Sequence, residues 1–343
     1  MNRRDFLGAS AIAISSTFYV GMIARPVIAQ EDTINAISNA KVTYFDAVAG
    51  SRPRDVAFDT DGMVWYCGQG DGTLTRLNPA TGDLHPVSLG EGAAPHGVVL
   101  GPDNAMWVTE GGQNAIARVD TGTDEVTLIP LPIEFEDANL NTGIFDNDGI
   151  YWFTGQNGVY GRVDPATLDI QVWPSPEGPG PYGITLTPQG DIWYVSLAGN
   201  HLANIDRATG DVRVVTPPTE EQGPRRIWSN SEGKLWISEW LSGNVSEYNP
   251  EEDTWRSWKL PGDSPLPYSV YVDENDKVWL TDFDTDSVVF FDPDTEEFTS
   301  FKSDQAHSDV RHMAGRPGEV WGGESGTGRV VRIQFDETEG TPA

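Results

Sequence analysis

Ala105-Met106-Trp107-Val108-Thr109-Glu110 returns in close variants as Lys234-Leu235-Trp236-Ile237-Ser238-Glu239 and Lys277-Val278-Trp279-Leu280-Thr281-Asp282. Trp65, Trp152, Trp193 and Trp321 sit in similar settings, so seven tryptophans recur at intervals of 42, 45, 41, 43, 43 and 42 residues. A period of about 40–45 residues is that of a four-stranded β-propeller blade. Seven copies predict an all-β chain folded as a seven-bladed propeller. Each Trp reads as a large apolar side chain filling the gap between neighbouring blades.

Working outward from Trp107, one unit runs from Pro95 to Pro132. Val98–Leu100, a short apolar run, and Met106–Thr109, Ala115–Val119 and Val126–Leu131 are apolar-rich segments set between Gly, Pro and Asp, the expected strand signal. Gly101-Pro102-Asp103-Asn104 is turn chemistry. The last repeat offers only three strands, ending near Val330–Phe335, while Lys41–Val48 reads as an orphan strand. The N-terminal strand is therefore expected to close the last blade and cover its open edge. Residues 41–336 become one domain, preceded by a linker over 30–40 and followed by a flexible tail over 337–343.

Met1-Asn2-Arg3-Arg4-Asp5-Phe6-Leu7 matches a twin-arginine export motif, an apolar run to Ile23 follows, and Val27-Ile28-Ala29 offers small residues for cleavage before Gln30. Residues 1–29 are read as a removed export signal, with a periplasmic or secreted product and no membrane span in the mature form. The single Cys67 permits no intramolecular disulfide and reads as a small buried residue of an inner strand.

The net charge is −30, and residues 1–29 carry three arginines and one aspartate, so the remainder is near −32. That balance excludes nucleic acid and anionic membranes as partners. Acidic turns such as Asp273-Glu274-Asn275-Asp276 read as solvated faces.

Two positions per repeat are expected at one mouth of the channel. The first follows the turn proline or its equivalent: Arg54, His96, Thr142, Tyr182, Arg225, Tyr268 and Arg311. The second lies three residues after the Trp: Gly68, Glu110, Gly155, Ser196, Glu239, Asp282 and Glu324. Glu110, Glu239, Asp282 and Glu324 are candidate metal ligands. His96 and His312 are candidate bases, and Arg225 and Arg311 could polarise a carbonyl. A plainer alternative pairs Arg225 with Glu239 and Arg311 with Glu324 as bridges within a blade. A His96–Glu110 pair would orient a base or a metal ligand.

Pro95-His96-Gly97-Val98, Trp107-Val108-Thr109-Glu110 and Asn114-Ala115-Ile116-Ala117-Arg118-Val119, with Pro181-Tyr182-Gly183-Ile184 and Trp152-Phe153-Thr154, carry a resemblance. The repeat resembles the streptogramin B lyase (virginiamycin B lyase) family, over all seven repeats. The resemblance implies a lyase that opens a cyclic depsipeptide at its ester by β-elimination with Mg²⁺, the metal and a histidine base being held by His and Glu residues of two successive blades. His96 and Glu110 match one such blade. The next repeat reads Leu140-Asn141-Thr142-Gly143 with Gly155, where the family has a Glu-Pro-His turn and a carboxylate; the last repeat has Val310-Arg311-His312.

Three functions are expected to compete. The first is a lyase-like enzyme opening a cyclic ester with Mg²⁺, or with Ca²⁺ or Mn²⁺. The second is a non-catalytic propeller binding an acidic sugar or peptide through Arg54, Arg225 and Arg311. The third is a gluconolactonase-type enzyme with Ca²⁺ on Glu239, Asp282 and Asn230. In each, a small molecule or short peptide occupies the channel of a monomer.

Overall fold

The computed structural model describes residues 37–336, which form seven four-stranded antiparallel sheets. In the second blade the order from axis to rim is Pro95–Leu100, Ala105–Glu110, Ala115–Asp120 and Val126–Pro130, as the apolar segments between turn residues predict. Helix is confined to the single turn Ile133–Phe135 among the described residues, and none of their helices is long and apolar enough to cross a membrane.

The ring closes as expected. Ser38–Asp46 pairs with Arg329–Asp336 as the outermost strand of the seventh blade, with Phe45 opposite Val330. The strand starts three residues earlier than predicted and ends at Asp46, so residues 38–40 belong to the sheet and not to a linker. The export signal, most of the linker and the tail lie outside the described residues.

The seven repeat tryptophans are all at most 1% exposed, each packed against the next blade. Trp107, for instance, contacts Phe145 and Tyr151 of the third blade at ring distances of 5.6 and 5.4 Å. Burying such a side chain contributes about 2–3 kcal/mol. The acidic turns are more than solvated faces. Asp273 is buried, takes the backbone N–H groups of Asn275 and Lys277, and accepts the indole N–H of Trp279 at 2.9 Å. Asp59, Asp103 and Asp146 accept from Trp65, Trp107 and Trp152 in the same way. In Gly101-Pro102-Asp103-Asn104 the turn is completed by Asn104 at φ 57°, a conformation Asn tolerates. Cys67 is fully buried, but in the second strand of its blade, Val64–Gly68, and burial pushes its thiol well above its ordinary value.

Candidate functional site

Each inner strand carries one more residue than its neighbour just after its start. Pro53 pairs with Gly68 and Val56 with Tyr66, while Pro224 pairs with Glu239 and Arg226 with Ser238. The other five blades show the same shift. A β-bulge re-aims side chains, and here it brings two successive residues of each blade to the channel. The upper tier is Arg54, His96, Asn141, Tyr182, Arg225, Tyr268 and Arg311. The lower tier is Asp55, Gly97, Thr142, Gly183, Arg226, Ser269 and His312. The pairing of Leu140 with Gly155 makes Asn141 the equivalent of Arg54, which corrects the expected place of Thr142 by one residue. His312 likewise falls in the lower tier.

The upper tier reaches across the ring. Arg54 Nη2 donates to Tyr268 Oη at 2.9 Å, Tyr182 Oη lies 2.7 Å from Tyr268 Oη, and Arg225 Nη2 donates to Tyr182 Oη at 3.1 Å. The guanidinium carbons of Arg225 and Arg311 stand 4.1 and 5.1 Å from the Tyr268 ring centre. Gln69, Trp240 and Phe283 form the half-buried rim, with Gln69 Oε1 taking Arg54 Nη1 at 2.8 Å and Phe283 stacked on Tyr268 at 4.7 Å. Among the described residues no carboxylate lies within ion-pair distance of Arg54, Arg225 or Arg311, so the expected Arg225–Glu239 and Arg311–Glu324 bridges are not formed. Arg311 donates to Ser325 Oγ instead.

The lower tier is a diaphragm. Arg226, fully buried, donates to both Asp55 oxygens at 3.3 and 3.2 Å and to Thr142 Oγ1, joining the first, third and fifth blades. Gly97 and Gly183 are required by close approach: a Cβ on them would stand 2.6 Å from Asn141 O and 2.8 Å from Arg226 Cα. Below lies a cavity of about 250 Å³ roofed by Asp55, Thr142 and His312 and walled by residues such as Val98, Leu100, Ile144, Ile184 and Trp228.

Neither histidine is placed as a free base. His96 Nε2 faces Asn141 Nδ2 at 3.3 Å, and Thr142 Oγ1 donates to Asn141 Oδ1, so the Asn141 amide donates and the His96 proton sits on Nδ1. That Nδ1 is buried and has no partner. His96 does not pair with Glu110. Burial and the guanidiniums of Arg54, Arg226, Arg311 and Arg225 hold its pKa well below the ordinary value, so the ring is neutral. The His312 pKa is depressed by burial and by Arg226, and its Nδ1 faces Ser269 Oγ at 3.4 Å within the lower tier.

The four candidate carboxylates do not converge on the channel. Glu110 Oε1 accepts the backbone N–H groups of Ala94, Gly112 and Gln113 at 2.6, 2.8 and 3.3 Å. Asp282 takes the N–H groups of Leu266 and Asp284 and the Thr285 hydroxyl. Glu239 holds Gln222 and Ser242, and Glu324 holds Ser303, Thr327 and Arg329. Glu110, Glu239 and Asp282 each tie the mouth loops of their own blade together, and Glu324 also reaches Ser303, just past the outer strand of the sixth blade. Asn230 also serves a turn, through the N–H groups of Glu232 and Lys234. Mg²⁺ and Ca²⁺ need convergent oxygens, and among the described residues no three His, Cys, Asp or Glu side chains group closely enough. The described residues do not fit a resident divalent cation.

Asp55, Arg226 and Asn141 are the parts that sequence reasoning missed. Each adjoins a predicted position and was displaced by the extra residue of the bulge.

The chain is 26% identical over 261 residues to a gluconolactonase of Zymomonas mobilis, across 62% of this chain and 70% of that one. Its fold superposes with TM-score 0.80 on virginiamycin B lyase from Staphylococcus aureus, at 17% identity, covering 87% of this chain and all of the other. A streptogramin B lyase structure also gives 0.80, at 20% identity, covering 88% of this chain and all of the other. The family model of the virginiamycin B lyase family matches residues 27–291. Ring, repeat and match agree, and the chain belongs to the virginiamycin B lyase family.

Proposed function

We propose that the upper mouth binds an oxyanion-bearing small molecule or short peptide, of the class of an acidic sugar or acidic peptide. One observation carries this reading: the mouth is an excess of donors. Arg54 Nε, Arg225 Nε and His96 Nδ1 are buried without a partner. Buried polar groups without partners are costly, and a set made only of donors calls for an acceptor from outside. The aromatic rim of Trp240 and Phe283 supports the apolar face of such a ligand. The test is calorimetric titration with galacturonate against its neutral parent sugar. Preferred binding of the acid, weakened at least roughly ten-fold in Arg225→Gln, is expected, because charge-assisted hydrogen bonds contribute about 1.5–3 kcal/mol. Equal affinity for both sugars would refute it.

Membership of the family and the similarity to a gluconolactonase favour a second reading, in which the bound oxygen is an ester or lactone carbonyl polarised by Arg225 and Arg311. Turnover of a panel of lactones and cyclic esters, lost in Arg225→Gln, would select it over plain binding. We further propose that the protein works outside the cytoplasm after twin-arginine export directed by Arg3-Arg4. Retention of the precursor in the cytoplasm when both are changed to lysine is the expected result.

A further inference from the structure

The hydroxyls of Tyr182 and Tyr268 have a proton too many. Tyr268 Oη accepts from Arg54 Nη2, Tyr182 Oη accepts from Arg225 Nη2, and the two oxygens face each other at 2.7 Å. Among the described residues no other acceptor reaches either oxygen. Two neutral phenols would bring two O–H hydrogens to one O···O contact, leaving one buried donor unmade. Removing one proton satisfies both phenol oxygens: Tyr182 donates to a Tyr268 phenolate that also accepts from Arg54.

Charge gives the same answer independently. Arg54, Arg225, Arg226 and Arg311 all face the Tyr268 ring, and the only carboxylate at the two tiers, Asp55, is engaged by Arg226. His96 is the remaining titratable neighbour, 6.3 Å from the Tyr182 ring, and it is neutral. Trp240 and Phe283 bring no charge. Uncompensated guanidiniums in a buried ring demand a negative group.

We propose that Tyr182 and Tyr268 hold a single hydroxyl proton between them at neutral pH, so that the resting mouth carries a tyrosinate as its base, and that a bound oxyanion drives return of the second proton. Burial alone would push Tyr268 up, but the guanidiniums of Arg54, Arg226, Arg225 and Arg311 hold it well below the usual 10.0. The second half rests on the oxyanion reading above. The incoming anion takes over as counter-ion, the phenolate loses its electrostatic support, and one proton from solvent passes to Tyr268 oxygen by way of Tyr182; no carbon bond changes. The site then has a base although the His96 lone pair is engaged by Asn141.

The probe is inorganic sulfate, which does not itself titrate near neutrality. Carbon NMR of tyrosine Cζ in the wild-type protein is expected to show one of the ten tyrosines as phenolate at pH 7, and the near-ultraviolet tyrosinate band should vanish in Tyr268→Phe. Sulfate should bleach that band, with about one proton taken up per bound ion in buffers of different ionisation enthalpy. No phenolate resonance at pH 7 overturns the proposal, even should Tyr268→Phe fail to fold. A phenolate resonance with no sulfate binding sinks the oxyanion reading and its linkage but leaves the shared proton. Sulfate binding with neither tyrosinate nor proton uptake does the reverse.

Discussion

The two ends of the channel are lined by the same seven inner strands and share almost no chemistry. Above, guanidiniums, phenols and an imidazole meet across the axis. Below, aliphatic side chains and Trp228 surround about 250 Å³. The boundary is the bulge. Where each strand carries its extra residue, two consecutive residues reach the axis and polar groups can meet; beyond it regular pairing resumes and apolar residues such as Val56, Val98 and Ile184 line the wall. One residue of backbone per blade therefore divides a donor-rich binding mouth from an apolar cavity, with Asp55–Arg226 as the partition.

The partition is the place to break that division. Asp55→Ala leaves Arg226 buried and unpaired, so a loss of about 3–5 kcal/mol is expected in denaturant unfolding. A loss under about 1 kcal/mol would mean that water already joins the two chambers. Glu110→Ala frees three backbone donors and should cost about 2 kcal/mol, yet leave anion affinity unchanged because the carboxylate serves the loop. A change in affinity larger than the change in stability would return Glu110 to the site. Arg225→Gln should do the opposite: affinity down at least roughly ten-fold, with a fall in Tm smaller than that of Asp55→Ala, since Arg225 is partly exposed whereas Asp55 is buried.

Protons distinguish the ends more finely. His96 and His312 both titrate below the unfolded value of 6.5, so the unfolded chain binds more protons than the folded one as pH falls through that value. Stability should therefore be fully present above 6.5 and fall below it, by at most about 1.4 kcal/mol per pH unit for each histidine. His312→Asn should reduce the slope without touching anion binding, and an unchanged slope would place the acid sensitivity elsewhere. The smallest effect is expected from Ala314→Leu, which fills part of the lower cavity: stability within about 1 kcal/mol and unaltered affinity at the mouth. Weaker anion binding in that variant would show that the chambers communicate.

Much of this was legible in the chain. Trp65 to Trp321 set the blade count, and the missing fourth strand after Phe335 called for the N-terminal one. The mouth arginines and tyrosines stood at one position per repeat, after the turn proline. Arg226 and Asp55 did not, because simple alternation turns the next residue away from the axis, and only the bulge brings it back. Gly97 and Gly183 at that position were the available hint of close approach. Glu110, Glu239, Asp282 and Glu324 misled because carboxylates in register suggest a shared ligand, whereas each is used by the loops beside it. The turn aspartates, six residues before Trp65, Trp152 and Trp279, read as solvated faces because nothing in their composition shows the indole each one holds. Where Thr187, Asn230 or Gly315 stands there instead, the indole N–H of Trp193, Trp236 or Trp321 has no partner.

The seam of the ring has a consequence in time. Ser38–Asp46 is synthesised before every blade, but its partner Arg329–Asp336 comes last, so the first strand made is the last to be paired. Until then the chain carries two open strand edges at opposite ends of the sequence. Contacts of such long sequence separation are slow to form. Maturation thus ends with a single late locking event, and the circle can open only by unzipping this one strand.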